Sequence, residues 1–309
     1  MRKVILLTGA NGFIGKNVLK SFHKKYEIIA FSRSKPKFDS KWIKFNGLNY
    51  SKIQEIFKKY KPHFIINCAA IAHKNLRFFK NNHKLIEEVN LEYINILLDC
   101  ALKNDLPSKF IFISSIGVYK KQSSLVINEN SLLSPNNYYS ELKLKGEKII
   151  QKRLKGSKVS WTILRIPMVY GNNAPGNFNL LVNLIDLQVP LILENKKNYR
   201  TLLSINNLMS ALKRIISVKK SDNQIYLVSD DEKISLRDLI KNIGLVRNKS
   251  SLIITVPNYV YSFLKKLPFV GKKFEVVSNE YIIDNSKIKK QLNWYPPYKL
   301  NAEIKKVFI

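Results

Sequence analysis

The chain has 309 residues, 45% of them hydrophobic, with 53 Lys and Arg against 22 Asp and Glu and a net charge of +31. That apolar fraction excludes a disordered chain, and the length suits one large domain or two modest ones. No apolar run approaches the ~20 residues of a membrane span and no signal peptide precedes the first strand, so a cytoplasmic protein without membrane insertion is expected.

The lysines scatter along helices and loops, with no block of five like charges and no nucleic-acid motif. The charge therefore reads as solvated faces, and no nucleic-acid partner is expected, although such a field would steer an anionic substrate. Cys68 and Cys100 fall in apolar segments and read as small buried hydrophobes. His23, His63, His73 and His83 show no ligand spacing, so no metal is expected.

The first apolar run, Val4 to Leu7, is short, as a strand buried on both faces would be. Gly9, Gly12 and Gly15 follow, ahead of an amphipathic pattern carrying Phe13, Ile14, Val18, Leu19 and Phe22. Glycines there allow a tight turn, close approach of backbone to a diphosphate, and close packing of helix on strand. The helix N-terminus behind them offers unpaired N–H groups to phosphate oxygens. This pattern predicts a dinucleotide site.

Further strand signals stand at 27–32, 42–45, 63–68, 109–114 and 159–165, alternating with helical patterns near 13–25, 51–60, 83–103 and 138–154. The alternation predicts an α/β protein with a doubly wound parallel sheet. Within 83–103, Leu85, Val89, Ile94, Leu97, Leu98 and Ala101 read as a packing stripe alone. At the end of the second strand, Ser32 stands where a carboxylate would meet a ribose 2′-hydroxyl, and Arg33 suits a 2′-phosphate. NADPH is thereby favoured over NADH. The strand 109–114 ends in Ser114-Ser115, pointing at the crevice where open sheets bind ligands. Tyr139 and Lys143 are four apart and share a helical face, so the ammonium is expected to favour the phenolate and lower its pKa from ~10.

After about residue 166 the texture changes. Gly171, Pro175, Gly176 and Pro190 surround a helix at 178–188, and a helix at 206–218 and a strand at 224–228 read as a return to the first sheet. The expected division is a Rossmann nucleotide-binding domain over 1–166, with returning elements about 200–228. A smaller, discontinuous α+β C-terminal cap takes 167–199 and 229–309.

Thr8 to Gly15 matches Thr-Gly-x-x-Gly-x-x-Gly, Tyr139 to Lys143 matches Tyr-x-x-x-Lys, and Val89-Asn90-Leu91, Ala69-Ala70 and Arg165 to Gly171 follow in the right order. Asp284 to Lys287 and Leu292 to Pro296 complete the pattern. On these motifs the chain resembles the extended short-chain dehydrogenases/reductases of the NAD-dependent epimerase/dehydratase family, which act on nucleotide sugars. The resemblance implies a catalytic Ser115, Tyr139 as general acid/base, and Lys143 as the residue that tunes it and binds the nicotinamide ribose. It implies NAD(P) contacts at Gly9, Asn11, Gly12, Phe13, Ile14, Gly15, Arg33, Leu48, Ala69, Ala70, Asn90, Tyr139, Lys143 and Pro167. Substrate contacts fall at His73, Ser115, Asn177 and Arg200, with Arg200 on the diphosphate, and a homodimer is implied. Asn177 equally suits a helix N-cap.

Dehydratases of this branch carry an acid pair after the catalytic hydroxyl residue, where this chain has Ile116 and Gly117. The run Gly176-Asn177-Phe178 with Asn198 to Thr201 resembles reductases of UDP-4-keto-6-deoxy-N-acetylhexosamines. The expected activity is accordingly 4-keto reduction of such a UDP-sugar for surface polysaccharide. A UDP-hexose or UDP-N-acetylhexosamine 4-epimerase is the alternative, and a non-catalytic NAD(P)- or RNA-binding protein the remote one.

Overall fold

The apolar runs near the start of the chain build a central sheet whose strands are buried on both faces. The computed structural model describes residues 2–38, 40–45, 47–72, 78, 81–106, 108–120, 126–195, 198–250, 252–266 and 281–308. In chain order, the first part holds β1 (Val4–Thr8), α1 (Phe13–Phe22), β2 (Glu27–Ser32), β3 (Lys41–Lys44), α2 (Tyr50–Tyr60), β4 (Phe64–Asn67), α3 (His83–Glu87) and α4 (Tyr93–Lys103). Then come β5 (Lys109–Ser115), β6 (Val126–Ile127), α5 (Tyr138–Leu154), β7 (Ser160–Ile166), β8 (Val169–Tyr170), α6 (Asn177–Asp186), β9 (Leu191–Glu194), β10 (Tyr199–Thr201), β11 (Leu203–Ser204) and α7 (Ile205–Ser217). The last part holds β12 (Gln224–Leu227), β13 (Lys233–Ser235), α8 (Leu236–Val246), β14 (Ile253–Val256), α9 (Asn258–Lys266), β15 (Ile282–Ile283), α10 (Ser286–Leu292) and α11 (Leu300–Phe308).

Seven parallel strands pair in the order β12-β7-β5-β4-β1-β2-β3. The order reverses between β1 and β4, the switch point beyond whose carboxyl ends open α/β sheets take their ligands. One face of the sheet packs Val18, Leu19 and Phe22 of α1 and Leu208, Leu212 and Ile215 of α7. The other packs Ile53 and Phe57 of α2, Leu97 and Leu98 of α4, and Ile150 of α5. Each such side chain contributes roughly 1.5–3 kcal/mol by leaving water, and together they make the layered α/β arrangement expected from the alternation.

A third apolar cluster, with Phe178, Leu181 and Ile185 of α6 and Leu239, Ile240 and Ile243 of α8, belongs to a smaller α+β cap. Its sheets are two-stranded pairs, β10 with β13 and β9 with β14. The helical pattern at 83–103 is not one uniform helix: Glu88–Glu92 forms a π-helical turn between α3 and α4. The wider turn carries Asn90, which reaches across to the segment after β4. Among the described residues no helix is long and apolar enough to cross a membrane.

Candidate active site

The glycine loop closes at the ends of β1 and β4. Thr8 donates its hydroxyl to Asn67 Oδ1 at 2.8 Å, and the Ala69 N–H donates to Thr8 Oγ1 and Asn67 Oδ1 at 3.2 Å each. Gly9 has φ of +66°, and a Cβ there would stand 2.7 Å from Ala69 N. A Cβ on Gly15 would stand 2.2 Å from the Gly9 carbonyl oxygen. Both positions therefore require glycine. Gly12 is the N-cap of α1 and supplies no side-chain acceptor, so the first N–H groups of the helix are left for another partner. A cradle of this shape and polarity fits the diphosphate of a dinucleotide.

Around it, Phe13 and Ile14 are half-buried, and Asn11 Nδ2 donates to Ser34 Oγ at 2.7 Å, tying the loop to the segment after β2. Ser32 is buried and donates its hydroxyl to the Ser34 carbonyl at 2.7 Å, while Arg33 is exposed. Leu48 packs half-buried against the second core, and Pro167 is buried just beyond β7. Asn90 is spent on the protein itself. Its Oδ1 accepts from the Ile71 N–H at 3.2 Å and its Nδ2 donates to the Ile86 carbonyl at 2.8 Å, so it supports the half-buried Ala69 and Ala70 from behind.

Ser114 and Ser115 end β5 in different environments. Ser114 is buried and donates to Glu147, whereas Ser115 is half-buried and accepts from the Gly117 N–H at 3.1 Å. Of the two, Ser115 is the one whose side chain is not fully buried. Asn137 caps α5 by accepting from the Ser140 N–H at 2.9 Å, which sets Tyr139 and Lys143 on the helix's first two turns. Gly146 lets α5 lie close to the sheet: a Cβ there would stand 3.0 Å from Ile94 and 3.2 Å from Phe112.

The electrostatics differ from the sequence expectation. The Tyr139 pKa is not lowered on balance: Lys143 Nζ lies 5.7 Å from the centre of the Tyr139 ring, but it donates to the Ile113 carbonyl at 2.7 Å and sits 4.6 Å from the centre of the Phe112 ring. Burial pushes the Tyr139 hydroxyl up to about 12. Burial also pulls Lys143 down to about 8, against Cys68 and Glu147, which favour its ammonium form.

The substrate residues are less gathered. Asn177 is the exposed first residue of α6, and Gly176, at φ of 73°, takes the N-cap place instead. Arg200 is buried on β10 beside Ile234 of β13, and its charge is felt by Tyr261, whose hydroxyl burial pushes up to about 12. His73 lies outside the described residues. Two residues to which the sequence reading gave no site role lie directly behind the site: Glu147, whose carboxylate is wholly buried, and Arg165, which grips it. The spacing Tyr139, Lys143, Glu147 on one helical face was the available signal.

The family model of the NAD dependent epimerase/dehydratase family matches residues 5–229. A UDP-glucose 4-epimerase of Vibrio cholerae is 30% identical over 312 residues, covering 99% of this chain and 94% of that protein. A dTDP-D-glucose 4,6-dehydratase of Dictyostelium discoideum is 30% identical over 274 residues, covering 77% of this chain and 61% of that protein. A crystal structure of UDP-glucose 4-epimerase with UDP-glucose from Thermotoga maritima aligns with a TM-score of 0.79 at 19% identity, over 98% of this chain and 97% of that one. The chain belongs to the NAD-dependent epimerase/dehydratase family. By that membership it is an NAD(P)-dependent enzyme that modifies sugar nucleotides.

Proposed function

We propose that the chain is a 4-epimerase of a UDP-linked hexose or N-acetylhexosamine. The observation that carries this reading is the likeness to the Vibrio cholerae 4-epimerase along 99% of the chain, and the 4-keto reductase of the sequence expectation becomes the second reading. The glycine cradle would hold a nicotinamide dinucleotide, which when bound would supply reversible hydride exchange with C4 of the sugar. Tyr139 takes the proton from the C4 hydroxyl as that carbon is oxidised and returns it when the ketone is reduced. Ser115 donates a hydrogen bond to the same oxygen, and Lys143 supplies the positive charge on the tyrosine's helical face. Arg200 grips the diphosphate and Asn177 contacts the substrate at the cap; His73 lines the sugar pocket on the resemblance alone. A homodimer, on the resemblance alone, and a cytoplasmic location go with this reading.

Gly117 speaks against a dehydratase. Neither Ile116 nor Gly117 carries the acid that chemistry needs, and a Cβ at Gly117 would stand 2.4 Å from Ser140 Oγ and 3.3 Å from Ser115 Oγ, so a side chain there would require Ser140 to turn away. The reductase is favoured by Ser32 and Arg33, which suit NADPH, a cofactor consumed by net reduction.

Purified protein incubated with UDP-glucose and with UDP-N-acetylglucosamine decides between them. An epimerase yields the C4 epimer with no net change in cofactor absorbance. The reading fails if no epimer forms from either sugar while a UDP-4-keto-6-deoxy sugar oxidises NADPH stoichiometrically. Tyr139→Phe should lower turnover by about 10²–10⁴-fold with cofactor affinity retained, and near-normal turnover would remove Tyr139 from the acid/base role.

A further inference from the structure

Glu147 lies one helical turn beyond Lys143 and two beyond Tyr139 on α5, so the three share a face. It is 0% exposed, and its partner Arg165 on β7 is 2% exposed. Arg165 donates from Nε to both carboxylate oxygens at 3.1 Å and from Nη2 to Oε2 at 2.7 Å. Ser114 donates its hydroxyl to Oε1. Arg165 Nη1 donates to the Tyr119 hydroxyl at 2.7 Å and to the Glu129 carbonyl at 3.5 Å. One carboxylate thus joins α5 to the end of β5, next to Ser115, and to β7. Through Tyr119 the network also reaches the turn that follows Ser115.

Stability is a poor explanation for so buried a pair, because desolvation of two charges offsets most of their attraction. Its position suggests another. Lys143 is 4% exposed, and a carbonyl and an aromatic ring replace only part of the water an ammonium loses. The charged and titratable groups around it are Cys68, from the segment after β4, and Tyr139 and Glu147 from its own helix. Arg165 meets Glu147 from β7, with Tyr119, Glu129 and Lys287 beyond it.

We propose that Glu147 is a positioning residue for the reaction: its carboxylate, fixed by Arg165 and Ser114, holds Lys143 as an ammonium and keeps Ser115 and the face of α5 carrying Tyr139 in register. Arg165 balances the carboxylate's charge from the β7 side, and Lys143 is the buried cation on the carboxylate's own helical face, one turn away. This inference rests on the assignment of Tyr139 and Lys143 made above.

The test measures Lys143 directly. Carbamylation by cyanate consumes only the neutral amine, so its rate at Lys143, read by peptide mass spectrometry over roughly pH 6 to 10, gives the titration midpoint. In Glu147→Gln the midpoint should fall by about one pH unit or more, and the alkaline limb of kcat/KM should move with it. Glu147→Asp should restore most of both. A folded Glu147→Gln protein with an unmoved Lys143 midpoint overturns the inference, even where turnover and Tm have dropped, because a merely structural role would do that much. Should Glu147→Gln strand Arg165 and fail to fold, Glu147→Gln combined with Arg165→Gln leaves a neutral, hydrogen-bonded pair. Its midpoint should lie between those of the wild type and the single variant, and a wild-type value again overturns the inference. Labelling needs neither cofactor nor turnover, so its failure is distinct from failure of the functional reading, which an active Tyr139→Phe would expose.

Discussion

Asp230 should make the protein less stable as pH rises from about 4 to 6. The residue follows β12 and is 2% exposed. Its carboxylate accepts from the Tyr170 hydroxyl at 2.9 Å, the Asn207 Nδ2 at 2.7 Å, and the Ser204 N–H at 3.0 and 3.2 Å. These contacts join β8, the start of α7 and the exit of β12, where the main sheet gives way to the cap. Burial raises its pKa from 3.8 to about 6, with the buried Glu303 adding to the rise and the three donors opposing it. Between those two values the folded protein binds the proton that the unfolded chain has released, so the slope of unfolding free energy against pH is negative. A shift of about two units at ~1.4 kcal/mol each places the penalty near 3 kcal/mol, complete above pH 6 and absent below pH 4. Urea unfolding of the wild type and Asp230→Asn at about pH 4.5, 5.5 and 7 isolates it, because other titrating groups cancel in the difference. The wild type should lose stability relative to the variant along that series. A flat or rising difference would mean that the donors outweigh burial and would refute the argument.

Gly15→Ala should weaken NADH binding at least ~10-fold and lower Tm, because the new methyl would meet the Gly9 carbonyl at 2.2 Å and the loop would have to leave the helix; unchanged fluorescence titration by NADH would contradict this. Arg33→Ser should raise the Kd for NADPH about tenfold or more and leave that for NADH nearly as it was. Equal effects on both cofactors would remove Arg33 from the 2′-phosphate contact.

The central sheet was legible because a strand buried on both faces must be apolar throughout, as Val4 to Leu7 and Phe110 to Ile113 are. The glycine loop was legible because its geometry tolerates no substitute at Gly9 or Gly15. Glu147 was hidden by its surroundings: in a helix that also carries Lys145, Lys148, Lys152 and Arg153, one more acid reads as a solvent-side partner. Only β7, arriving with Arg165, shows that this acid faces inward. The π-helical turn at Glu88–Glu92 leaves no mark on an apolar stripe, and its reason, the reach of Asn90 to Ile71, spans 19 residues. The cap's pairs were illegible for a related reason, since β9 with β14 and β10 with β13 are short strands brought together across long stretches of chain.

Burial acts in opposite senses on the two titrating groups of α5, raising Tyr139 to about 12 and lowering Lys143 to about 8. Both shifts favour uncharged forms, so the closed site keeps its proton on the phenol and is readier to give a proton to a ketone than to take one from an alcohol. An epimerase must do both on the same oxygen. The oxidising half therefore needs positive charge near the phenol, and Lys143 is the resident source only while it stays protonated. Near neutral pH the margin is narrow, since the Lys143 value of about 8 already includes the help of Glu147. The buried set of Lys143, Glu147 and Arg165 carries one net positive charge. Converting the carboxylate to an amide adds a second, which Lys143 can shed most readily as a proton because a guanidinium holds its own. On that argument the same substitution weakens oxidation of the alcohol more than reduction of the ketone. Single-turnover rates in the two directions should diverge in Glu147→Gln as pH rises, and equal losses in both would put the origin of the effect elsewhere.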